Sequence, residues 1–117
     1  VRVRALVRDP RKAESQSLLR DGVELVAFDA VTASERERDE AVRGAFAVVS
    51  TLQGGPDVIV DAQLALLRAA KRAGARRFIP SDYSYNVFTL PEGINVNSDW
   101  RRALAVAAKG ETSEGFE

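Results

Sequence analysis

Four short apolar runs, each followed by a stretch of helical spacing, constrain this chain more than any other feature. The first has period two: Val1, Val3, Ala5 and Val7 alternate with Arg2, Arg4, Leu6 and Arg8, which is the pattern of a strand. Asp9 then stands as a helix cap with Pro10 at the first helical position, where a missing N–H costs nothing. The helix is predicted to run to about Arg20, with Gly22 past its end. Val23 to Phe28 reads as a second strand, closed by Asp29. Ser34 and Glu37 have capping-box spacing and open a short charged helix that ends before Gly44. Phe46 to Leu52 is a third strand, apolar on both faces at first, as a buried parallel strand should be.

Gly54, Gly55 and Pro56 mark a turn into the best helix of the chain. Ile59, Ala62, Leu66, Ala69 and Ala73 recur at spacings of three and four, so one stripe faces a core. Gly74 ends that helix, and Arg77 to Pro80 is a short fourth strand. Residues 84 to 96 read as irregular, with Pro91 and Gly93 as breakers. Ser98 is predicted to cap a last helix from about Asp99 to Ala108, and the tail from 110 to 117 to fray. The order β-α-β-α-β-α-β-loop-α implies an α/β fold with parallel strands and right-handed crossovers. The expected architecture is one partial, Rossmann-like, doubly wound sheet of about four strands, in a single domain over residues 1–117.

Composition removes whole classes of chemistry. The chain has no Cys and no His, which excludes disulfides, thiolate chemistry, and the commonest general base and metal ligand. Lys plus Arg equals Asp plus Glu, 17 against 17, so bulk electrostatics do not favour direct nucleic-acid binding. No apolar run spans a membrane and no signal-peptide pattern is present, so a cytoplasmic location is expected.

Open parallel sheets bind ligands outside the carboxyl ends of their strands. The residues that fall there are Arg8, Asp29, the run from Ser50 to Gly55, and Pro80 to Tyr83. Arg offers a fixed fork of donors to a phosphate. In a dinucleotide fold, an Arg near the end of the second strand accommodates the 2′-phosphate of NADP. Lys12, one turn into the helix, adds a second positive charge. The alternative is a solvated Arg at a strand end, in line with Arg2 and Arg4. Ser50, Thr51 and Gln53 either face a cofactor or simply close the strand. Asp29 either receives an adenine amino group or caps a turn. Ser81 and Asp82 suggest a site, although such turns are common fillers.

A self-sufficient catalytic constellation is not visible. Tyr83 is followed four residues later by Val87, and Tyr85 by Thr89, so the Tyr-to-Lys spacing of short-chain dehydrogenases is absent. The only lysines are Lys12, Lys71 and Lys109.

Taken together, these segments resemble a known family. V-R-A-L-V-R-D-P-R-K-A resembles the second strand and helix of NmrA-like proteins, atypical short-chain dehydrogenases/reductases that include isoflavone reductase-like enzymes. A-R-R-F-I-P-S-D-Y-S is similar to that family's fifth-strand signature, and N-V-N-S-D-W-R-R to the start of the helix that follows. The similarity covers nearly all of residues 1 to 109 in the family's order. It implies a Rossmann-type NAD(P)-binding domain with NADP (NADPH) preferred. In it Arg8 and Lys12 hold the 2′-phosphate, Asp29 and Ala30 lie by the adenine, Thr51, Leu52 and Gln53 approach the middle of the cofactor, and Pro80 and Ser81 lie near the nicotinamide.

Two departures shape the functional expectation. The family's first strand and its G-x-x-G-x-x-G turn are not in the sequence, so the chain is expected to be a fragment that binds NADP weakly or not at all by itself. Asp99 stands where the family's reductases carry a catalytic Lys, which leaves Asp99 and Tyr83 as the catalytic candidates. The parent is expected to be an NADPH-dependent oxidoreductase acting on a small organic molecule. The alternative is a redox sensor that binds NADP without turnover and acts through a protein partner. A sugar-nucleotide epimerase relative is a third reading, and the missing Tyr/Lys pair argues against it.

Overall fold

The structure is a computed structural model that describes residues 1–15 and 22–117. Its strands are β1 (Val3–Val7), β2 (Val23–Ala27), β3 (Ala47–Val49) and β4 (Arg77–Ile79). Its helices are α1 (Pro10–Glu14), α2 (Glu35–Val42), α3 (Gln63–Arg72) and α4 (Val96–Lys109). A π-helical turn, Asp57–Ala62, leads directly into α3, and a 3₁₀ turn, Val87–Thr89, precedes α4. The alternation of strands and helices follows the sequence pattern, and each strand pair is parallel. The predicted extension of the first helix to Arg20 lies outside the described residues.

The caps explain most boundaries. Asp9 accepts from the amides of Arg11 and Lys12 at 3.1 and 3.3 Å. Ser34 and Glu37 form the reciprocal capping box, with Ser34 N donating to Glu37 Oε2 at 2.6 Å and Glu37 N to Ser34 Oγ at 3.2 Å. Gly74, at φ 78°, takes the left-handed conformation that closes α3. The last helix begins earlier than expected. Asn95, not Ser98, is its cap, accepting from Asn97 N and Ser98 N at 3.0 and 3.2 Å. Ser98 is instead buried.

The single four-stranded sheet is not what forms. Among the described residues the strands make two separate pairs, β1 with β2 over five residues and β3 with β4 over three. A single sheet of four strands would need β1 to pair directly with β3, which the cost of burying unpaired backbone would favour. That cost is absent here. Val3, Arg4, Ala47 and Val49 are exposed, so water can satisfy the free edges. The halves are joined through α2. It stacks on α3, where Arg72 donates to Asp39 Oδ1 at 2.6 Å. Arg4 of β1 donates to the carbonyls of Ala41 and Arg43 at 3.0 and 3.2 Å.

The core lies between β3–β4 and the helices. Val42, Val48, Leu66, Leu67, Ala69, Ala70, Ala75 and Phe78 are buried together. The predicted stripe is borne out at Ile59, Ala62, Leu66 and Ala69, all at most 5% exposed. The tail does not fray. Phe116 is buried in the same core. Glu117 N donates to Arg76 O at 3.0 Å, and Phe78 N to Glu117 O at 2.8 Å, as in a parallel ladder on the far edge of β4. A large aromatic two residues from charged neighbours carried this information, because burying it outweighs the ordering of a short segment.

Candidate functional site

The predicted residues fall into two groups, one at the carboxyl end of each strand pair. The first group follows β1 and β2. Arg8 directly follows β1 and is exposed, and Lys12 is exposed on α1. Among the described residues Arg8 makes neither a hydrogen bond nor an ion pair. Arg4 on the same strand is by contrast spent, with Nε 3.0 Å from Glu24 Oε2. Asp29 Oδ1 caps the next turn, accepting from Val31 N and Thr32 N at 2.9 and 3.3 Å. Ala30 is buried, and its carbonyl accepts from Arg38 at 3.2 Å. Arg8 and Asp29 open onto a crevice of about 710 Å³ between β1–β2 and α2, whose far end is charged by Glu24, Glu40 and Arg43.

The second group follows β3 and β4 and is a buried polar layer. Ser50, Gln63, Ser81 and Ser98 are the buried polar residues among those described, and all four lie here. Ser50 N donates to Ile79 O at 2.8 Å, which extends the β3–β4 ladder. Gln63 has no solvent exposure. Its Oε1 accepts from Ser81 N at 2.8 Å, and its Nε2 donates to Ile59 O at 3.0 Å. Tyr83 donates its hydroxyl to Ser50 O at 2.9 Å and so ties the two strand ends together. Tyr85 Oη and Ser98 Oγ are 2.6 Å apart. Thr51 and Gln53 are exposed and Leu52 half-buried along the segment that leaves β3. At Gly54 an added Cβ would lie 2.6 Å from Val58 Cγ2, so the turn into the π-helical segment admits only glycine without movement.

Sequence reasoning missed Gln63, Ser98 and Arg101. Gln63 interrupts an otherwise apolar helical stripe, and a polar residue on a buried face must find partners. That was the available signal. Arg101 reaches from α4 toward the same layer. Its Nε stands 3.8 Å from Asp82 Oδ1, and neither atom is exposed or hydrogen-bonded.

The two catalytic candidates separate. Tyr83 lies in the polar layer, but its proton is directed at a backbone carbonyl. Asp99 does not join the layer. It accepts from Gly93 N at 3.0 Å and stands 3.6 Å from Arg102 Nη1. Neither remaining lysine supplies an ammonium to the site. Lys71 donates to Glu111 O at 2.6 Å, and Lys109 stands 5.4 Å from the centre of the Phe88 ring. Among the described residues no cluster of carboxylates is built to hold a metal, and no helix is long and apolar enough to cross a membrane.

Known proteins were compared with this geometry. Residues 1–92 match the NmrA-like family. The chain belongs to that family. The crystal structure of a candidate epimerase from Bacteroides thetaiotaomicron superposes with a TM-score of 0.59 at 22% sequence identity. The match covers 97% of this chain and 55% of that one, so the chain spans about half the length of its structural neighbour. At that identity the likeness establishes the α/β Rossmann-like fold alone. A search of curated proteins finds no match.

Proposed function

We propose that this NmrA-like chain carries part of an NADP(H) site and that Arg8, helped by Lys12, is its 2′-phosphate subsite. One observation carries the reading: among the described residues Arg8 has no ion-pair partner at the carboxyl end of β1, while Arg4 is neutralised by Glu24. A guanidinium left without a carboxylate at a strand end is matched to a phosphate. Asp29 fits the adenine side through its remaining oxygen, since Oδ1 already serves the turn. The polar layer at Ser50, Ser81 and Tyr83 is the redox end, where a small organic molecule meets the nicotinamide in an oxidoreductase parent. Bound NADPH would supply hydride there; this chain's residues position and exclude water.

A second reading is favoured by a specific feature. Tyr83 and Asp99 are both committed to holding backbone, and no lysine reaches the layer. A parent that binds NADP(H) without turnover, and reports its redox state to a protein partner, needs no proton donor.

Titrating the protein with NADP and with NAD, read by NMR at the Arg8, Lys12 and Asp29 resonances, tests the cofactor reading. NADP is expected to perturb Arg8 and Lys12 more strongly, and Arg8→Glu to abolish the difference. Equal perturbation by both nucleotides refutes the phosphate role.

A further inference from the structure

We infer that residues 84–95 form a strap latched onto α4 by Arg102, with Asp99 as its counter-charge, and that this strap opens as a unit without the rest of the fold. The placement of side chains on α4 carries the inference. Asp99, Arg102, Val106 and Lys109 recur at spacings of three and four, so they share one face of the helix. The strap runs along that face. Arg102 Nη2 donates to Val87 O at 2.7 Å and also to Leu90 O. Asp99 accepts from Gly93 N at 3.0 Å and faces Arg102 Nη1 at 3.6 Å. Lys109 covers the Phe88 ring. One guanidinium thus holds two carbonyls of the strap, and one carboxylate holds a strap amide through Oδ2 while its Oδ1 faces the guanidinium as an ion pair without a hydrogen bond.

Little else holds the segment down. Val87, 2% exposed, is its one buried side chain. Its backbone–backbone bonds within 85–94 are local, Thr89 N to Asn86 O and Ile94 N to Pro91 O. A groove of about 400 Å³, floored by Ala103, Val106 and Ala107, stays open beside the clasp. Segments with few buried contacts and side-chain tethers belong to the low-stability end of a fold. The strap also starts at the polar layer, since Tyr85 meets Ser98 at 2.6 Å. Its opening therefore frees the Ser98 hydroxyl at the edge of the polar layer, a consequence for function that rests on the reading of that layer given above.

Hydrogen exchange tests the strap without any nucleotide, so its outcome is independent of the cofactor reading. In the unaltered protein, strap amides are expected to exchange through openings that depend weakly on urea, and α3 amides through openings that depend steeply on it. Arg102→Leu and Asp99→Asn are each expected to raise strap exchange at least about tenfold, roughly 1.4 kcal/mol of local opening, with α3 and β4 unchanged. Arg102→Lys keeps the charge and is expected to fall between. An equal urea dependence for strap and core, unchanged strap exchange in the variants, or a rise shared equally by α3 and β4 overturns the inference. If a variant does not fold, the urea series on the unaltered protein decides alone.

Discussion

Replacing Gln63 by Leu isolates the buried side chain that joins α3 to the site. Leu is close to Gln in volume, so the core neither opens a large cavity nor overpacks. Two bonds are lost, Ser81 N to Oε1 at 2.8 Å and Nε2 to Ile59 O at 3.0 Å. Their costs differ. Ile59 O keeps its place in a helical backbone, whereas Ser81 N lies in a buried turn with no other acceptor among the described residues. A buried donor left unsatisfied costs about 1–3 kcal/mol. Added apolar burial at position 63 offsets part of this, since Gln63 is wholly enclosed. The expected net loss is about 1–2 kcal/mol, or roughly 4–8 °C in Tm for a domain of this size. Urea unfolding followed by Trp100 fluorescence and far-UV circular dichroism measures it. Exchange at the Ser81 amide should rise more than exchange in β1, which Gln63 does not touch. A variant as stable as the parent protein, with Ser81 still protected, would refute the assignment of Gln63 as the residue that holds this turn.

Three further outcomes are expected. Gly54→Ala brings a methyl against Val58, at 2.6 Å from Cγ2 and 2.9 Å from Cβ; a β-branched side chain cannot swing clear, so stability should fall by about 1–3 kcal/mol in urea unfolding, and Val58→Ala should restore part of it. Phe116→Ala should cost about 2–3 kcal/mol, toward the low end for a buried aromatic because the terminal segment can relax; proteolysis of 110–117 without loss of stability would show that the tail does not belong to the core. Hydrogen bonding from the Ser34 backbone and hydroxyl holds Glu37 below the ordinary carboxyl value of 4.5, and the Arg68 guanidinium does the same for Glu111. Depressed carboxyls contribute stability above their unfolded pKa and lose it as pH falls through their folded pKa, so the urea midpoint should drop as pH falls below about 4.5, and less so in Glu37→Gln.

The sequence made the order of elements legible because each element carries its own local signal: the period-two run at Val1–Arg8, the capping box at Ser34 and Glu37, the stripe from Ile59 to Ala69. What it did not make legible is mostly non-local. The split into two strand pairs depends on whether the free edges of β1 and β3 are buried, and burial of an edge belongs to the assembled fold. Ser98 has the composition of a cap, yet Asn95 caps the helix three residues earlier, at the amides of Asn97 and Ser98, which leaves Ser98 inside the helix with its hydroxyl on Tyr85. Phe116 and Glu117 sit in a polar tail with no periodicity, so the packing of Phe116 with Phe78 and the bonds of Glu117 to Arg76 and Phe78 could not be read from spacing. The candidate residues could be placed at strand ends from the sequence, since that rule follows from topology. Gln63 escaped because it reaches the site from a helix interior, eighteen residues from Ser81 in sequence.

The arrangement also explains why the two halves of the site differ in character. Arg8, Lys12 and Asp29 follow a strand pair whose residues are all exposed or half-buried. They are free to meet a charged group from solvent. Ser50, Ser81 and Tyr83 follow a strand pair whose Val48 and Phe78 are locked into the core. Among the described residues, the fully buried side-chain atoms there that lack a hydrogen bond are Asp82 Oδ1 and Arg101 Nε, which face one another at 3.8 Å. That separation is too long for a direct bond and suits a bridging water or a rotation of Arg101. On the function proposed above, the exposed half suits charge recognition, which tolerates water, and the half around buried Ser50, Gln63 and Ser81 suits fixed orientation. Between them stands α2, held to β1 by Arg4 and to α3 by Asp39. The link between the two strand pairs therefore runs through arginine contacts of α2 and not through a continuous sheet.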